Sequence, residues 1–492
     1  MHRPVNCAPK MVRSILIVLL PLAGATCTDH PTGVTITPAE RYLQALSLSV
    51  GQQADIRPSA RIEYDSLPEI STSAVSFLGM ERSKVCAPEG CGGDLQDYHF
   101  LATAPGQTVV TIRYRDGRPA VVDTINVLAA TPHGAFANVS TGFLLNTCAV
   151  TTGGVGYCWG GAGPPATDTA GDAATPWYTA PAPVAGAPAF TTISRGFLHT
   201  CGLTAAGAAY CWGDNFNGQL GDGDSVESSG PKAVVGGLIF KAVSAGVYHT
   251  CGVTTTGEMF CWGNNHSGEL GNGTISYTNS RPVRISSESS FTTVGAGYQF
   301  SCGLTTSGAA YCWGDNDYGE LGTGGTTLSA VPEPVSGGLK FVTLTTGYFH
   351  VCGLTVDGAA YCWGGNSEGE LGNGTTHAST TPAAVAGGLT FTAISAGQWA
   401  TCGVTTSGAA FCWGYNGFGQ LGSATLPLTF DPNPTPVPVA GALTFASVST
   451  GYYHTCGVTT TGVAYCWGDD SEGELGDGST TIHPTPVRVF GP

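Results

Sequence analysis

Cysteine is the residue type whose spacing in this chain points most directly to chemistry. Of the 18 cysteines, most form seven pairs whose members are ten positions apart, with a glycine six positions after the first. If that glycine ends a three-residue loop in the left-handed conformation, as Gly207 would between Thr204 and Ala208, the paired cysteines face each other across a hairpin. Facing Cα atoms lie about 4.5–5.5 Å apart, which a disulfide tolerates. The predicted disulfides are Cys148–Cys158, Cys201–Cys211, Cys251–Cys261, Cys302–Cys312, Cys352–Cys362, Cys402–Cys412 and Cys456–Cys466.

Metal binding is the competing interpretation of these cysteines. Ligands ten residues apart on opposed strands lack the short spacing of zinc sites, so no metal is expected there. The segments DNDYGELG and DDSEGELGDG have some likeness to calcium loops. They lack the full spacing of such a loop, however, and Asx turns account for them equally well. We therefore predict neither a metal nor a cofactor.

Histidines and carboxylates give no sign of an active site. Four histidines recur at one repeat position, which favours a shared structural hydrogen bond over catalysis, because a catalytic group needs one specific partner geometry. They are His199, His249, His350 and His454. No unique carboxylate pair, nucleophile elbow or metal cluster interrupts the repeat, so we predict that the protein is not an enzyme.

The cysteine pairs are carried by an internal repeat that starts at Phe136. The first cysteines of successive pairs are 53, 50, 51, 50, 50 and 54 residues apart. Each unit contains four strand-like pieces, for example residues 240–244, 249–254, 258–262 and 281–285. Four strands in about 50 residues are typical of one propeller blade. The predicted fold is all-β, with a seven-bladed β-propeller over residues 136–492.

The repeat resembles that of the regulator of chromosome condensation family. The resemblance lies in G-x-x-H-T-C-G-L-T followed by Y-C-W-G-D-N-x-x-G-Q-L-G-D-G, as at residues 196–223. Trp-Gly followed by Gly-Gln/Glu-Leu-Gly recurs in six of the seven copies. The first copy departs, with GGAGPPATDTAGDAATPWYTAPAP in place of that turn. Its outer strand and loop are therefore left open.

The resemblance implies a propeller but not one task, because fold does not fix function. The founding member acts as a nucleotide exchange factor on a nuclear small GTPase, a partner that an exported, acidic, disulfide-bonded protein cannot meet. A secreted bacterial β-lactamase inhibitor is also a seven-bladed propeller of this class. That inhibitor shares the compartment and architecture predicted for this chain.

Two loops of each blade should lie at one end of the propeller, because the four strands alternate in direction. They are the Gly-x-x segment before the second strand and the Asp/Asn-rich turn after Cys-Trp-Gly. The turn acids expected at the surface around the aromatic residues are Asp214, Asp315, Asp317, Glu368, Asp469, Asp470 and Glu472. Aromatic side chains in a polar surround are typical of interface hot spots, so the x-x positions are predicted to bind a partner. The alternative is that one residue of each pair fills the mouth of the blade as core. The predicted partner-binding residues are Phe197, Leu198, Tyr248, Tyr298, Tyr348, Phe349, Trp399, Tyr452 and Tyr453.

The N-terminal region predicts export. Residues 1–25 combine basic residues with the apolar run 15–22, as in a signal peptide. Cleavage at Ala23-Gly24-Ala25 and lipidation at Cys27 are alternatives, so contact with a membrane is expected only through a lipid anchor. Residues 32–130 resemble a bacterial immunoglobulin-like domain, a β-sandwich expected to act as a spacer. Cys86 and Cys91 are expected to pair within it.

Charge and compartment narrow the function. The chain has 34 Asp and Glu against 18 Lys and Arg, a net charge of −16. A phosphate backbone would be repelled, so nucleic acid is not an expected partner. The prediction is an exported or surface-anchored binding protein, secreted, periplasmic or on the outer surface of a bacterial cell, whose partner is an extracellular or periplasmic protein. An envelope enzyme acting on glycans and a purely structural surface protein are the alternatives.

Overall fold

The computed structural model describes residues 135–161 and 178–491, and within residues 35–128 it describes the backbone of eight strands. The chain divides into two compact units, Met1–Pro132 and His133–Pro492. The predicted signal segment 1–25 and Cys27 lie outside the described residues, so both stay predictions. In the described part of the chain, no helix has the length and apolar character needed to cross a membrane.

The first unit contains strands of very different length. They are β1 (Thr35–Ile36), β2 (Leu46–Ser49), β3 (Gln53–Ile56), β4 (Glu69–Ile70), β5 (Val75–Ala87), β6 (Gly90–Ala102), β7 (Gly106–Thr111) and β8 (Val122–Leu128). Two sheets have the orders β1-β3-β6-β5 and β2-β8-β7-β4. The backbone register sets Cys86 opposite Cys91. About half of residues 32–130, and the side chains of all of them, lie outside the described residues, so this disulfide and the immunoglobulin-like domain stay predictions.

The second unit is a propeller of seven four-stranded antiparallel sheets, which confirms the predicted all-β class and blade count. Every blade uses four consecutive strands, so the ring closes without exchanging a strand between the ends of the repeat region. The strands of blades 1 to 3 are β9 (Phe136–Thr141), β10 (Asn146–Thr151), β11 (Gly156–Gly160), β12 (Tyr178–Pro183), β13 (Phe190–Arg195), β14 (His199–Thr204), β15 (Ala209–Gly213), β16 (Ser228–Ala233), β17 (Phe240–Ala245), β18 (His249–Thr254), β19 (Met259–Asn265) and β20 (Ser276–Arg284).

The remaining four blades repeat this plan. Their strands are β21 (Phe291–Ala296), β22 (Phe300–Thr305), β23 (Ala310–Gly314), β24 (Ser329–Pro334), β25 (Phe341–Thr346), β26 (His350–Thr355), β27 (Ala360–Gly364), β28 (Ser379–Ala384), β29 (Phe391–Ala396), β30 (Ala400–Thr405), β31 (Ala410–Gly414), β32 (Asn433–Pro438), β33 (Phe445–Thr450), β34 (His454–Thr459), β35 (Ala464–Gly468) and β36 (His483–Arg488).

The hairpin between the second and third strands of each blade has the predicted register. In blade 2, Leu203 lies opposite Ala209 and Cys201 opposite Cys211, while Gly207 has φ 79° at the end of the loop. All seven predicted disulfides between cysteines ten residues apart are present. The Cα atoms of Cys201 and Cys211 are 4.1 Å apart, somewhat closer than expected for facing residues without the bond.

The hydrophobic core lies between neighbouring blades. Cys201, Leu203 and Cys211 of blade 2 pack against Phe240 and Trp262 of blade 3. Burial of one large apolar side chain contributes about 1.5–3 kcal/mol, and the same contact is repeated around the ring. Blade 7 packs in the same way against Phe136 and Trp159 of blade 1, so apolar packing closes the ring.

The Gly-Gln/Glu-Leu-Gly motif folds into a tight turn that reaches the next blade. The indole Nε1 of Trp262 in blade 3 donates a 2.9 Å hydrogen bond to the carbonyl oxygen of Gln219 in the blade 2 turn. Asn215 Oδ1 holds the turn by accepting from the Leu220 amide at 3.0 Å. A Cβ at Gly221 would come within 2.6 Å of Trp262 Nε1, so only glycine permits this approach.

Candidate functional site

The two loops that the sequence assigns to one end of the propeller are joined in every blade. In blade 2 the Asp214 amide donates to the Leu198 carbonyl at 2.9 Å, and in blade 7 Asp469 donates to Tyr453 at 3.0 Å. The backbone therefore confirms that the Gly-x-x segment and the turn after Cys-Trp-Gly lie together. We call this end of the propeller the aromatic end.

Side chains of the first x-x position reach toward the propeller axis. The rings of Phe143 in blade 1 and Tyr348 in blade 5 are 5.9 Å apart, although these blades are not neighbours. Phe143, Val247 and Gln398 are buried, with 8%, 1% and 8% of their surface exposed. At these three positions the core alternative is therefore correct. The nine predicted partner-binding residues, in contrast, are all partly buried.

Six of the predicted aromatic residues form one continuous run of ring contacts. The centroid distances are 6.0 Å for Phe197–Tyr248, 5.9 Å for Tyr248–Tyr298 and 4.5 Å for the stacked pair Tyr298–Tyr348. Phe349 continues the run, since its ring lies 4.6 Å from that of Tyr348. It also lies 6.2 Å from the ring of Trp399, the sixth member. Each such pair contributes about 0.5–1.5 kcal/mol beyond burial, so the run is held in place before any partner arrives.

A second aromatic cluster surrounds Tyr453 in blade 7. Its hydroxyl donates a 2.9 Å hydrogen bond to the Tyr452 hydroxyl. Phe418 stacks on its ring at 4.3 Å, and Tyr415 lies 5.9 Å away. Phe430 packs on Tyr415 at 6.0 Å and is 79% exposed. This places Tyr452 and Tyr453 in an aromatic surface that extends onto blade 6.

Aromatic residues in the turns after Cys-Trp-Gly were missed by the sequence interpretation. Phe216 is 82% exposed, and Tyr318 is 49% exposed with its ring 5.0 Å from that of Phe349. Phe418 occupies the matching turn of blade 6. The signal was available in WGDNFNG, WGDNDYGE and WGYNGFGQ, where Phe216, Tyr318 and Phe418 stand one or two positions before the glycine of the turn.

Acidic side chains are interleaved with the tyrosines. Burial raises the pKa of Tyr248, and the nearby Tyr298 and Asp214 raise it further. Burial likewise raises the pKa of Tyr415, with Glu368 and Tyr452 adding to the effect. Asp214, Asp315, Asp317, Glu368 and Glu472 are at least partly exposed in the turns, as expected. Asp469 and Asp470, expected among the surface acids, are instead buried in the blade 7 turn.

The loops of the aromatic end contain no Lys or Arg in the printed sequence. Two arginines approach these loops from strands: the guanidinium of Arg281 in β20 lies beside Gly223 of the blade 2 turn, and Arg195, the last residue of β13, is buried. Its Nε donates to Asn146 Oδ1 at 2.7 Å and its Nη1 to Thr200 Oγ1 at 3.0 Å. The aromatic end therefore presents acidic, hydroxyl and ring surfaces, without an accessible cation from its own loops.

The four recurrent histidines are structural. His199 Nε2 and Thr250 Oγ1 of the next blade are 2.8 Å apart, and the same pairing joins His249 to Ser301, His350 to Thr401 and His454 to Thr147. Burial lowers the pKa of each histidine to about 3, so all four are neutral. The predicted structural hydrogen bond is confirmed.

Models of one known repeat match most of the propeller. Two models, both described as the regulator of chromosome condensation (RCC1) repeat, match residues 190–219, 240–269, 291–320, 341–370, 391–420 and 445–474, and residues 206–253, 256–304, 307–354, 357–404 and 407–458. Together these matches run without a gap from residue 190 to residue 474, which is more than half of the chain. The chain belongs to the RCC1 repeat family.

Solved structures support the same fold. Prp20p from Saccharomyces cerevisiae has a TM-score of 0.61 and 21% identity, and the match covers 69% of this chain and 87% of Prp20p. Human WBSCR16 has a TM-score of 0.57 and 21% identity, with coverage of 63% and 84%. At this identity the likeness shows the fold alone. A comparison with curated proteins finds no match.

The first repeat of the propeller departs from the others, as its sequence predicts. It lies before the matched residues, and the segment 162–177 that replaces its turn lies outside the described residues. Among the described residues, the indole of Trp212 in blade 2 donates no hydrogen bond equivalent to the one from Trp262 to Gln219. Trp212 is also 4% exposed, whereas Trp262 is fully buried.

The seventh RCC1 repeat carries the one group of three metal-ligating side chains found among the described residues. Potential ligand atoms of Asp470, Asp477 and His483 lie within 4.8 Å of one another. Asp470 already accepts from the Leu475 amide at 2.9 Å and from Ser479 Oγ at 2.7 Å, and His483 Nε2 lies 3.2 Å from Asp477 Oδ2. Asp470 is thus bonded to Leu475 and Ser479, and His483 is paired with Asp477. The absence of a metal stays a prediction.

Proposed function

We propose that this chain is an exported or surface-anchored binding protein that engages an extracellular or periplasmic protein through the aromatic end. The carrying observation is the run of ring contacts from Phe197 to Trp399, in which each aromatic side chain is partly buried and so held in place. Rigid, partly exposed aromatic side chains lose little entropy on binding and are typical hot spots.

Export is supported by the disulfides and by the N-terminal residues. Seven disulfides, one in each blade, favour an oxidising compartment. The proposal includes the signal segment 1–25, either of the two fates of Cys27, and an immunoglobulin-like spacer over residues 32–130. The proposed compartment is therefore the one in which the secreted β-lactamase inhibitor of this propeller class is found.

Protein binding has support from the RCC1 family. The structure of Prp20p is described together with its binding to Gsp1p and histones, and yeast RCC1 (Prp20) has been solved bound to Kap60. We propose that this chain likewise binds a protein, and that its partner is a different one. A non-enzymatic role fits the four neutral, buried histidines, which are not available as general bases.

A pull-down with the full exported chain tests this function. The variant carrying Tyr348→Ala, Phe349→Ala, Tyr452→Ala and Tyr453→Ala should lose a partner captured from envelope and neighbouring-cell extracts while it remains folded with seven disulfides. Val356→Ala is the matched control, because Val356 is 86% exposed in the hairpin at the opposite end. Equal capture by the four-site variant would exclude the aromatic end, and no reproducible capture would favour a structural role.

A further inference from the structure

We infer that the partner reaches the aromatic end with a cationic segment, an exposed loop or terminus whose Lys or Arg side chains lie against the tyrosine rings. This inference rests on the proposed function and adds the chemistry of the partner. The loops of this end contain acidic residues and no Lys or Arg, so their net charge is negative. An acidic partner segment would be repelled by such a surface, and a cationic one attracted to it.

Carboxylates lie close to the aromatic rings, where they would add to the attraction of the rings for a cation. The Asp214 amide donates to the Leu198 carbonyl at 2.9 Å, which holds Asp214 beside the aromatic run, near Tyr248. Glu368 lies near Tyr415. Each of these two sites thus combines a π-face with a partly exposed carboxylate. A guanidinium or ammonium group satisfies both at once, through a cation–π contact and a charge-assisted hydrogen bond.

The other cations of the propeller come from outside these loops, although the guanidinium of Arg281 lies beside Gly223 in the blade 2 turn. In the described residues they lie on first or outer strands or in the link before β25, and they are Lys232, Lys241, Arg281, Arg284, Lys340 and Arg488. Arg195 is buried and bonded to Asn146 and Thr200. The loops of the aromatic end themselves supply acids and no Lys or Arg, so a partner can add positive charge there.

Random short peptides displayed on phage, selected on the full exported chain, test the inference. Binders that are lost on Tyr298→Ala/Tyr348→Ala but kept on Val356→Ala should be enriched in Lys and Arg. A synthetic copy of such a peptide should lose about tenfold or more in affinity between about 50 mM and about 500 mM salt. Its Lys/Arg→Gln version should not bind. Glu368→Gln together with Asp315→Asn should weaken binding and flatten the salt dependence.

Two further outcomes separate the inference from the function on which it rests. Tyrosine-dependent binders that lack Lys and Arg and ignore salt would overturn the cationic partner and leave protein binding at the aromatic end intact. A library that yields no tyrosine-dependent binder would count against the proposed function itself. In that case, tyrosine-dependent binding of a polysaccharide in a glycan array would replace it by glycan recognition.

Discussion

Trp159 and Glu474 join the first blade to the last, since the indole Nε1 of Trp159 donates a 2.9 Å hydrogen bond to the carbonyl oxygen of Glu474. Thr147 Oγ1 donates to the same oxygen at 2.9 Å, and it is also paired with His454 Nε2 at 2.8 Å. The hydrogen bonds that link blade 2 to blade 3 are thus repeated between blade 7 and blade 1. Because no strand is exchanged, the ring is closed by hydrogen bonds and apolar packing, and the Thr141 amide adds a further bond to Ser449 Oγ at 3.0 Å.

Trp159→Phe should therefore destabilise the propeller more than Trp212→Phe. We expect a loss of about 2–3 kcal/mol in the free energy of unfolding, from the smaller ring and the lost bond. Trp212→Phe removes the same volume but no such bond among the described residues, so its loss should be smaller by about 1 kcal/mol. Denaturant unfolding of both variants measures the difference. Equal losses would show that the indole bond contributes nothing to closure.

Removing one disulfide should lower stability without changing the fold. The Cys352→Ala/Cys362→Ala variant opens a short loop inside blade 5, so the expected loss is about 2–3 kcal/mol. Thermal unfolding measures it, and peptide mapping by mass spectrometry should find the other six bonds still joining cysteines ten residues apart. Bonds between different blades in the mapped wild-type protein would contradict the pairing.

The buried turn glutamates predict a loss of stability as pH rises. Burial raises the pKa of Glu370 from 4.5 to about 7, so the folded protein holds a proton that the unfolded chain has released. The stabilisation is complete below about pH 4.5 and disappears as pH rises to about 7. Glu370→Gln copies the neutral residue found at Gln219 and Gln420. The melting temperature of this variant, relative to that of the wild type, should rise as the pH increases from 5 to 8.

Glu288→Gln is the control for that titration, because the side chain of Glu288 is 95% exposed. Its melting temperature should follow the wild type at every pH. A Glu370→Gln curve parallel to the wild type would show that Glu370 is ionised in the folded protein at neutral pH.

Asp470→Asn should stabilise blade 7. Five other blades have Asn at this position, and its Nδ2 donates to backbone carbonyls, as Asn366 does to Thr375 and His377 at 2.9 Å. Burial raises the pKa of Asp470 from 3.8 to about 8, so the gain in melting temperature should be larger at pH 9 than at pH 5. A chelator should leave the wild-type melting temperature unchanged. A chelator-sensitive wild type together with a destabilised Asp470→Asn variant would instead indicate a metal.

Contacts within a blade could be predicted from the sequence, and contacts between blades could not. The ten-residue spacing with Gly207 sets the register of Cys201 and Cys211, because hairpin geometry is local. The shared end of the two loops follows from strand alternation. The Phe143–Tyr348 contact depends on how far non-neighbouring side chains reach across the axis, which no spacing encodes. Asp470 was expected at the surface because its burial depends on the fold of the turn.

Site-specific photo-cross-linking from the aromatic end tests the central claim most directly. A photoreactive phenylalanine derivative replaces Tyr348 in one exported full-length chain and Val356 in another, each produced in its own cells and irradiated there. We predict a discrete adduct with one cationic exported protein from position 348 and none from position 356. Adducts from position 356 alone, or none from Tyr298, Tyr348, Trp399 and Tyr453 in turn, would contradict binding at the aromatic end.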